Sequence, residues 1–322
     1  MKPFFLKTAA AAFIVAGFAA APSHAAELKA VTSFSILADI AQNVGGERVA
    51  VQALIGANQD GHGYQPRPSD ARAVGAADVV LVNGLGFDGW LERLAASGGA
   101  GERVRVAADG IAPLAAAGAD EDEGEEHAGH DDHDHDHADD HDHGPLDPHA
   151  WQDVSNVLKY AENIAAAFSA ADPAGAADYA ANLERYSGEL RTLDAEIRAA
   201  FSAIPAERRV AVTAHNSFAY YGQAYGIKFI GTRQASVGVD ASAANIASLV
   251  RELRAQQAAV VFLENIYDRR QMESISRESG ARIGGVLHSD ALSAADGGAP
   301  TYLDMMRSNT RALVEGMQPT EQ

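Results

Sequence analysis

Cysteine is absent from the 322-residue chain, which removes disulfides, thiolate metal sites and cysteine nucleophiles together. Basic clusters are missing as well, so there is no face that would neutralise nucleic-acid phosphates. The sequence contains no GxxxxGK[ST] loop, no GxGxxG opening a helix, no HExxH and no GxSxG, which excludes the common nucleotide, zinc-protease and serine-hydrolase signatures. Long apolar runs are confined to residues 8–21, preceded by Lys2 and Lys7 and followed by the small-x-small site Ser23-His24-Ala25. That pattern predicts a cleaved secretory signal over 1–25, a mature start at Ala26 and no membrane span. With no cysteine after the signal, the product is expected to be exported without a lipid anchor.

The formal charge of −19 is unevenly spread. Thirteen Asp and Glu lie between Asp120 and His143, leaving −6 on everything else. The same tract carries His127, His130, His133, His135, His137, His141 and His143, has no Lys or Arg, and offers almost nothing apolar. Such a segment has too little hydrophobic surface to offset the entropy of ordering, so a mobile loop over 119–144 is expected. Imidazole suits zinc, copper and nickel, and neighbouring carboxylates raise the local cation concentration. The seven histidines are therefore read as auxiliary metal contacts, although a solvated acidic linker would share much of this composition.

Around the tract, strand and helix patterns alternate. Strands are predicted over 28–33, 49–55, 78–83 and 103–107, and helices over 35–44, 70–76 (capped by Ser69) and 90–96. A helix over 154–170 follows. Asp172-Pro173 then opens a long apolar-striped helix running to Ile204, on the order of 45 Å at about 1.5 Å per residue. That exceeds the width of one small domain and suggests a tie between two lobes, with packing on a single domain as the alternative. Beyond Pro205 come strands over 209–213, 227–231, 259–263 and 282–286, helices over 217–225, 243–256 and 269–279, and a last helix over 302–317. The expected fold is α/β, with two mainly parallel four-stranded lobes flanked by helices and a cleft between them. The expected division is an N-terminal lobe over 26–171, a connecting helix over 172–204 and a C-terminal lobe over 205–322.

Four residues lie just past predicted strand ends: His62, His149, His215 and Asp290. Three imidazoles and a carboxylate from both lobes can close a tetrahedral zinc shell, and a closed shell favours binding and release over hydrolysis. Each has a plainer reading alone. His62 suits a surface turn, His215 the neighbourhood of a helix cap, and Asp290 a turn with Ser289 or Ser293. His288 is a rival ligand, and Glu264 a further candidate more in keeping with a structural carboxylate.

The stretches Asp60 to Asp70, Asp147 to Trp151, Thr213 to Tyr221 and Ser289 to Ser293 resemble those of the periplasmic zinc and manganese solute-binding proteins of bacterial ABC transporters, the cluster A-I group of ZnuA, AztC and TroA type. The resemblance spans nearly the whole mature chain. It implies two α/β lobes joined by one rigid helix, a metal in the cleft, and delivery to a membrane permease rather than catalysis. It carries the four ligands onto His62, His149, His215 and Asp290. Manganese members tend to have Glu at the third position, so His215 and the His-rich tract point to the zinc branch, with Zn²⁺ as cargo. Gly61 and Gly63 stand where relatives have bulkier residues, which predicts a looser His62 loop. A periplasmic metallochaperone is a further expected partner, and the protein is expected to be monomeric. Alternatives are a zinc buffer acting through the tract and a zinc hydrolase. Metal binding should weaken below about pH 6.5 as histidines protonate.

Overall fold

The computed structural model describes residues 28–116, 146–231, Arg251 and 260–318. The predicted signal, the His-rich tract and, apart from Arg251, the helix expected over 243–256 lie outside the described residues.

The first lobe contains β1 (Leu28–Phe34), α1 (Ser35–Gly45), β2 (Val49–Ile55), α2 (Pro68–Ala76), β3 (Val79–Val82), α3 (Gly89–Ser97) and β4 (Val104–Val106). Its strands are all parallel, in the order β2-β1-β3-β4. The second lobe repeats the plan with β5 (Val210–Thr213), α6 (Ala219–Tyr225), β6 (Lys228–Gly231), β7 (Val260–Glu264), α7 (Arg269–Ser279) and β8 (Arg282–Leu287), ordered β6-β5-β7-β8 and again parallel. Buried on both faces, the inner strands read as apolar runs, with Glu264 as the charged end of β7: every residue of Val79–Val82 and of Val260–Glu264 is buried. Each sheet reverses its winding beside its first strand, which opens a crevice beyond the carboxyl ends of β1 and β3 in one lobe and of β5 and β7 in the other.

Helix α4 (Val154–Ala171) packs on the first sheet and α1, α5 (Ala176–Ser202) joins the lobes, and the chain closes with α8 (Tyr302–Met317). The long helix is shorter than its apolar pattern predicts. Asp172 and Pro173 open a single 3₁₀ turn over Pro173–Gly175, and the α-helix proper has 27 residues, about 40 Å at 1.5 Å each. One stripe of α5, comprising Tyr179, Tyr186, Leu190, Leu193, Ile197 and Phe201, is buried along its whole length. The helix contacts α1 and α4 of the first half and α6 and α8 of the second, so it is packed on both lobes and not on one.

Two local expectations are corrected. Ser69 does not cap α2: Pro68 already occupies the first turn, and the Asp70 carboxylate reaches back 2.7 Å to the Arg67 N–H, making Arg67 the capping position. Helix α6 begins at Ala219 and not Ser217, because Ser217 and Phe218 still belong to the turn that carries His215 inward.

Candidate metal centre

Three of the candidates, His62, His215 and Asp290, lie in loops that follow β2, β5 and β8. His149 lies just beyond the tract, whose flanks are drawn together by a bridge between Ala115 and Leu146 and a hydrogen bond from the Asp147 N–H to the Leu114 carbonyl at 2.9 Å. The two histidines share a local device. Asp60 Oδ1 accepts from the His62 N–H, and Asp147 Oδ1 from the His149 N–H, each at 2.9 Å. This is the short turn in which an aspartate bonds its own backbone two residues on.

Of the two glycines flanking His62, Gly61 has a packing role. Gly61 packs against the Phe87 ring, and a Cβ there would come within 2.7 Å of Phe87 Cζ. Its bareness is a condition of close packing. Phe34, Phe87 and Trp151 form one aromatic wall with centroids 4.8–5.0 Å apart, and His62 and His149 stand against it at 5.0 and 5.2 Å.

The four side chains converge. One ligating atom from each of His62, His149, His215 and Asp290 lies within 4.8 Å of all the others, and all four residues are buried. His62 Nε2 and His215 Nε2 are each 3.0 Å from Asp290 Oδ2. His149 Nε2 is 3.5 Å from Asp290 Oδ1 and 3.2 Å from His62 Nε2. Four ligands placed tetrahedrally about 2.0–2.1 Å from a zinc ion would be about 3.3 Å apart, so these separations suit one small cation. Two imidazole nitrogens facing each other at 3.2 Å need a proton or a cation between them. Asp290 Oδ1, fully buried, accepts no hydrogen bond within the described residues. A buried carboxylate oxygen left in that state is costly unless a cation answers it.

Behind two of the rings sits a second carboxylate. His149 Nδ1 is 2.7 Å from Asp147 Oδ1, and His215 Nδ1 is 2.8 Å from Glu264 Oε2. Glu264 is itself fixed by accepting the Ala214 and His215 N–H groups on Oε1 at 2.7 and 3.2 Å. A carboxylate at Nδ1 holds the Nδ1–H tautomer and leaves the Nε2 lone pair free to face a cation where the four side chains converge. Burial alone would depress the His215 imidazole, but the charges of Glu264 and Asp290 outweigh it and hold the group well above the ordinary histidine value. Burial likewise opposes ionisation of Asp290, and His215 and His149 outweigh it, holding that carboxyl well below its usual range.

His288, the rival ligand, is not among the converging four. Its backbone N–H and carbonyl are both taken by Asn309, and burial lowers its imidazole below the usual value. Glu264 stands behind His215 and not in the converging set. Sequence reasoning missed Asp147, although the repeated Asp-x-His of 60–62 and 147–149 was a usable signal. It also missed Trp151 Nε1 and Gln152 Nε2, which donate to the Ser289 carbonyl at 2.9 and 2.8 Å across the lobe boundary.

Two parallel α/β lobes bridged by a long helix, with three imidazoles and a carboxylate meeting in the cleft, define a binding protein for a metal cation. The sequence matches the family described as ZnuA, zinc-uptake complex component A, periplasmic, over residues 30–316, and the chain belongs to that family. It is 34% identical over 310 residues to the manganese-binding lipoprotein MntA of Halalkalibacterium halodurans, covering 95% of each chain. It is 31% identical over 322 residues to the iron-binding protein YfeA of Yersinia pestis, covering 96% of each. The Mn-bound periplasmic metal-binding protein of Candidatus Liberibacter asiaticus has the same fold, with a TM-score of 0.75, 27% identity, and coverage of 90% of this chain and 100% of that one. The periplasmic zinc-binding protein TroA of Treponema pallidum, at 24% identity and a TM-score of 0.78, shares the fold over 91% of this chain and 100% of its own. The protein is thus a metal-binding substrate-binding component of an ABC transporter, a class that hands its cargo to a membrane permease, and it is not an enzyme. Among the described residues no helix is long and apolar enough to cross a membrane.

Proposed function

We propose that the protein captures Zn²⁺ in the periplasm through Nε2 of His62, His149 and His215 and a carboxylate oxygen of Asp290, and delivers it to an ABC permease for import. The observation that carries this reading is the convergence of three imidazole nitrogens on one buried, cation-seeking carboxylate. Imidazole-rich sets suit zinc, whereas carboxylate, carbonyl and water suit manganese. Manganese or iron as cargo is the second reading, supported by the names of the similar proteins from H. halodurans and Y. pestis. The division into a signal over 1–25, lobes over 26–171 and 205–322 and a connecting helix over 172–204 belongs to the same proposal. So do the monomeric state, loading by a metallochaperone, and export without a lipid anchor, for which the 322 residues hold no cysteine.

The tract serves in this reading as an auxiliary collector. Its return to the described fold at Leu146, three residues before His149, puts its exit beside the cleft. A competitive titration with metal counting, on protein lacking residues 120–143, tests the assignment. The expected result is one tight zinc equivalent that disappears in His215→Ala. Loss of all tight binding on deletion would move the site to the tract, and a clear preference for manganese over zinc would establish the second reading.

A further inference from the structure

Chain order assigns His62 and His149 to the first lobe and His215 and Asp290 to the second, a two-to-two division. The hydrogen bonds around Asp290 divide otherwise. Its turn, 289–292, is gripped from the first half of the chain at both ends. The Ser289 carbonyl accepts from Trp151 Nε1 and Gln152 Nε2, the Leu292 carbonyl accepts from the Asn58 N–H at 2.9 Å, and the Leu292 N–H donates to Ser35 Oγ at 3.0 Å. Tyr302, farther along, is tied the same way. Its N–H donates to Asp39 Oδ2 at 2.8 Å, and its hydroxyl to the Trp151 carbonyl at 2.9 Å.

His215 is held differently. Its backbone and ring answer to Thr213 and Glu264, both on the second sheet. Besides its bonds to α5 and α8, made through Tyr225, Arg198 and Tyr221, this unit has two side chains that clasp it to the segments carrying His62 and His149. Tyr220 donates its hydroxyl to the Asp147 carbonyl at 3.1 Å and accepts the Leu114 N–H at 2.9 Å; Asn265 Nδ2 donates to Asn58 Oδ1 at 3.1 Å and to the Ala291 carbonyl at 3.0 Å. Within the second sheet, β8 carries a register slip at Gly284-Gly285, with Gly285 at φ 138°, and pairs with β7 again at Val286 and Leu287, so the Asp290 turn leaves the sheet only at His288. Gly284 lies so close to Phe262 that a Cβ would come within 2.6 Å of its ring. The glycine bulge therefore sets the local twist of β8, and the sheet and the Asp290 turn can part only at the short unpaired link of His288 and Ser289.

Taking the cleft as the metal site, we propose that it divides three to one. The first lobe holds His62, His149 and, through the 289–292 turn, Asp290, so His215 is the single ligand that the second sheet can withdraw, and cargo is exchanged through its departure. Trp151, Gln152, Asn58 and Ser35 are positioning residues for Asp290, and Tyr220 and Asn265 are the clasps that open. Withdrawing one imidazole leaves three donors on the metal while a coordination position opens toward an incoming acceptor. A two-to-two separation would instead strip half the shell at once and break four further hydrogen bonds, those that the Ser289 carbonyl and the two polar groups of Leu292 make to the first lobe.

The chain has no cysteine, so paired cysteines can be bridged cleanly by a short bifunctional alkylating reagent. Ser35→Cys with Leu292→Cys fastens the Asp290 turn to the first lobe, and Asn58→Cys with Asn265→Cys fastens the His215 unit to it. Zinc release to an excess of chelator is measured with and without the bridge. The expected result is release within about threefold of the unbridged protein for the 35–292 pair and slowing by more than a hundredfold for the 58–265 pair. Comparable slowing by the 35–292 bridge, or none by the 58–265 bridge, overturns the proposal. Metal counting on the unbridged proteins and the wild type shows separately whether the cleft binds one equivalent at all; its failure there would be a failure of the zinc assignment and not of the division. Tyr220→Phe, which introduces no cysteine, should speed release about 5- to 150-fold, the equivalent of two net hydrogen bonds, and an unchanged or slower rate also overturns it.

Discussion

Glu264→Gln alters the charge behind His215 while keeping the shape of the side chain, and its consequences can be worked through atom by atom. Glu264 Oε1 accepts two backbone N–H groups, so a glutamine must put its carbonyl oxygen there and turn its amide NH₂ toward His215 Nδ1. Two donors would then face each other across 2.8 Å unless the imidazole moves its proton to Nε2, where it blocks the metal. Loss of an outer carboxylate of this kind typically weakens a metal about 10- to 100-fold, roughly 1.4–2.7 kcal/mol. The size of the loss should depend on pH. Glu264 and Asp290 hold His215 well above the ordinary histidine value, so the metal-free wild type keeps a proton there that the metal must displace. Wild-type affinity therefore begins to fall above pH 6.5, an earlier onset than unperturbed histidines would give. With Glu264 neutralised, that competing proton is bound more weakly, and the variant loses less affinity on acidification. Competition titrations against a zinc chelator at pH 8.5 and pH 6 read both effects. The full loss is expected at pH 8.5 and a smaller one at pH 6; a larger loss at pH 6, or none at either, would refute the tautomer argument.

Three further outcomes are expected. Gly61→Ala forces a methyl to within 2.7 Å of the Phe87 ring and should cost about 1–3 kcal/mol of stability by overpacking, read as a lowered thermal midpoint in metal-free protein; an unchanged midpoint would contradict the packing role. Asp39 is pushed up to about 6 chiefly by burial, so its ionised form disfavours folding: its contribution is favourable below about pH 3.8 and is lost as pH rises through 6. Asp39→Asn can keep accepting the Tyr302 N–H and should raise the urea midpoint more at pH 7.5 than at pH 4.5, and the opposite order would contradict the burial argument. Asp147→Ala removes the acceptor for both the His149 N–H and Nδ1 and should weaken zinc about 10- to 100-fold, with the remaining metal still bound as one equivalent; an unaltered affinity would show that the Asp147 turn does not orient the ring.

The architecture was legible because its signals are periodic. Buried parallel strands such as Val79–Val82 and Val260–Glu264 announce themselves as apolar runs, and β2, α7 and α8 fall on their predicted bounds. Helix starts were less legible, because a cap depends on which side chain folds back: Asp70 reaches the Arg67 N–H, a contact that the attractive Ser69 gave no hint of. The converging residues could be proposed from their places past strand ends, but composition could not rank Asp290 against His288 or Glu264. That ranking depends on direction. His288 comes two residues before Asp290, with its backbone tied to Asn309, while Glu264, still in β7, meets the far side of the His215 ring. The hydrogen bonds of Trp151, Gln152 and Asn58 to the Asp290 turn join residues more than a hundred positions apart and leave no local trace in sequence.

Those long-range bonds also bear on how a rigid protein can still surrender its cargo. Helix α5 is buried along one stripe against both lobes, which leaves little scope for a wide hinge. The cleft walls are likewise packed with aromatic rings about 5 Å apart, and packed interfaces of this kind resist gradual deformation. A small displacement must then suffice. Moving one imidazole by a bond length or two breaks a metal–nitrogen contact completely while opening the bonds of Tyr220 and Asn265 across the cleft. The proton dependence of His215 acts on the same step, because an imidazole that withdraws with the second sheet stays beside the Glu264 carboxylate, where it readily takes up a proton. Protonation then keeps it from closing again, so acidification should raise the zinc release rate as well as lower the affinity. Release rates measured from pH 8 to pH 6 should increase in the wild type and respond less in Glu264→Gln. Equal pH dependence in the two proteins would mean that the leaving ligand is not His215.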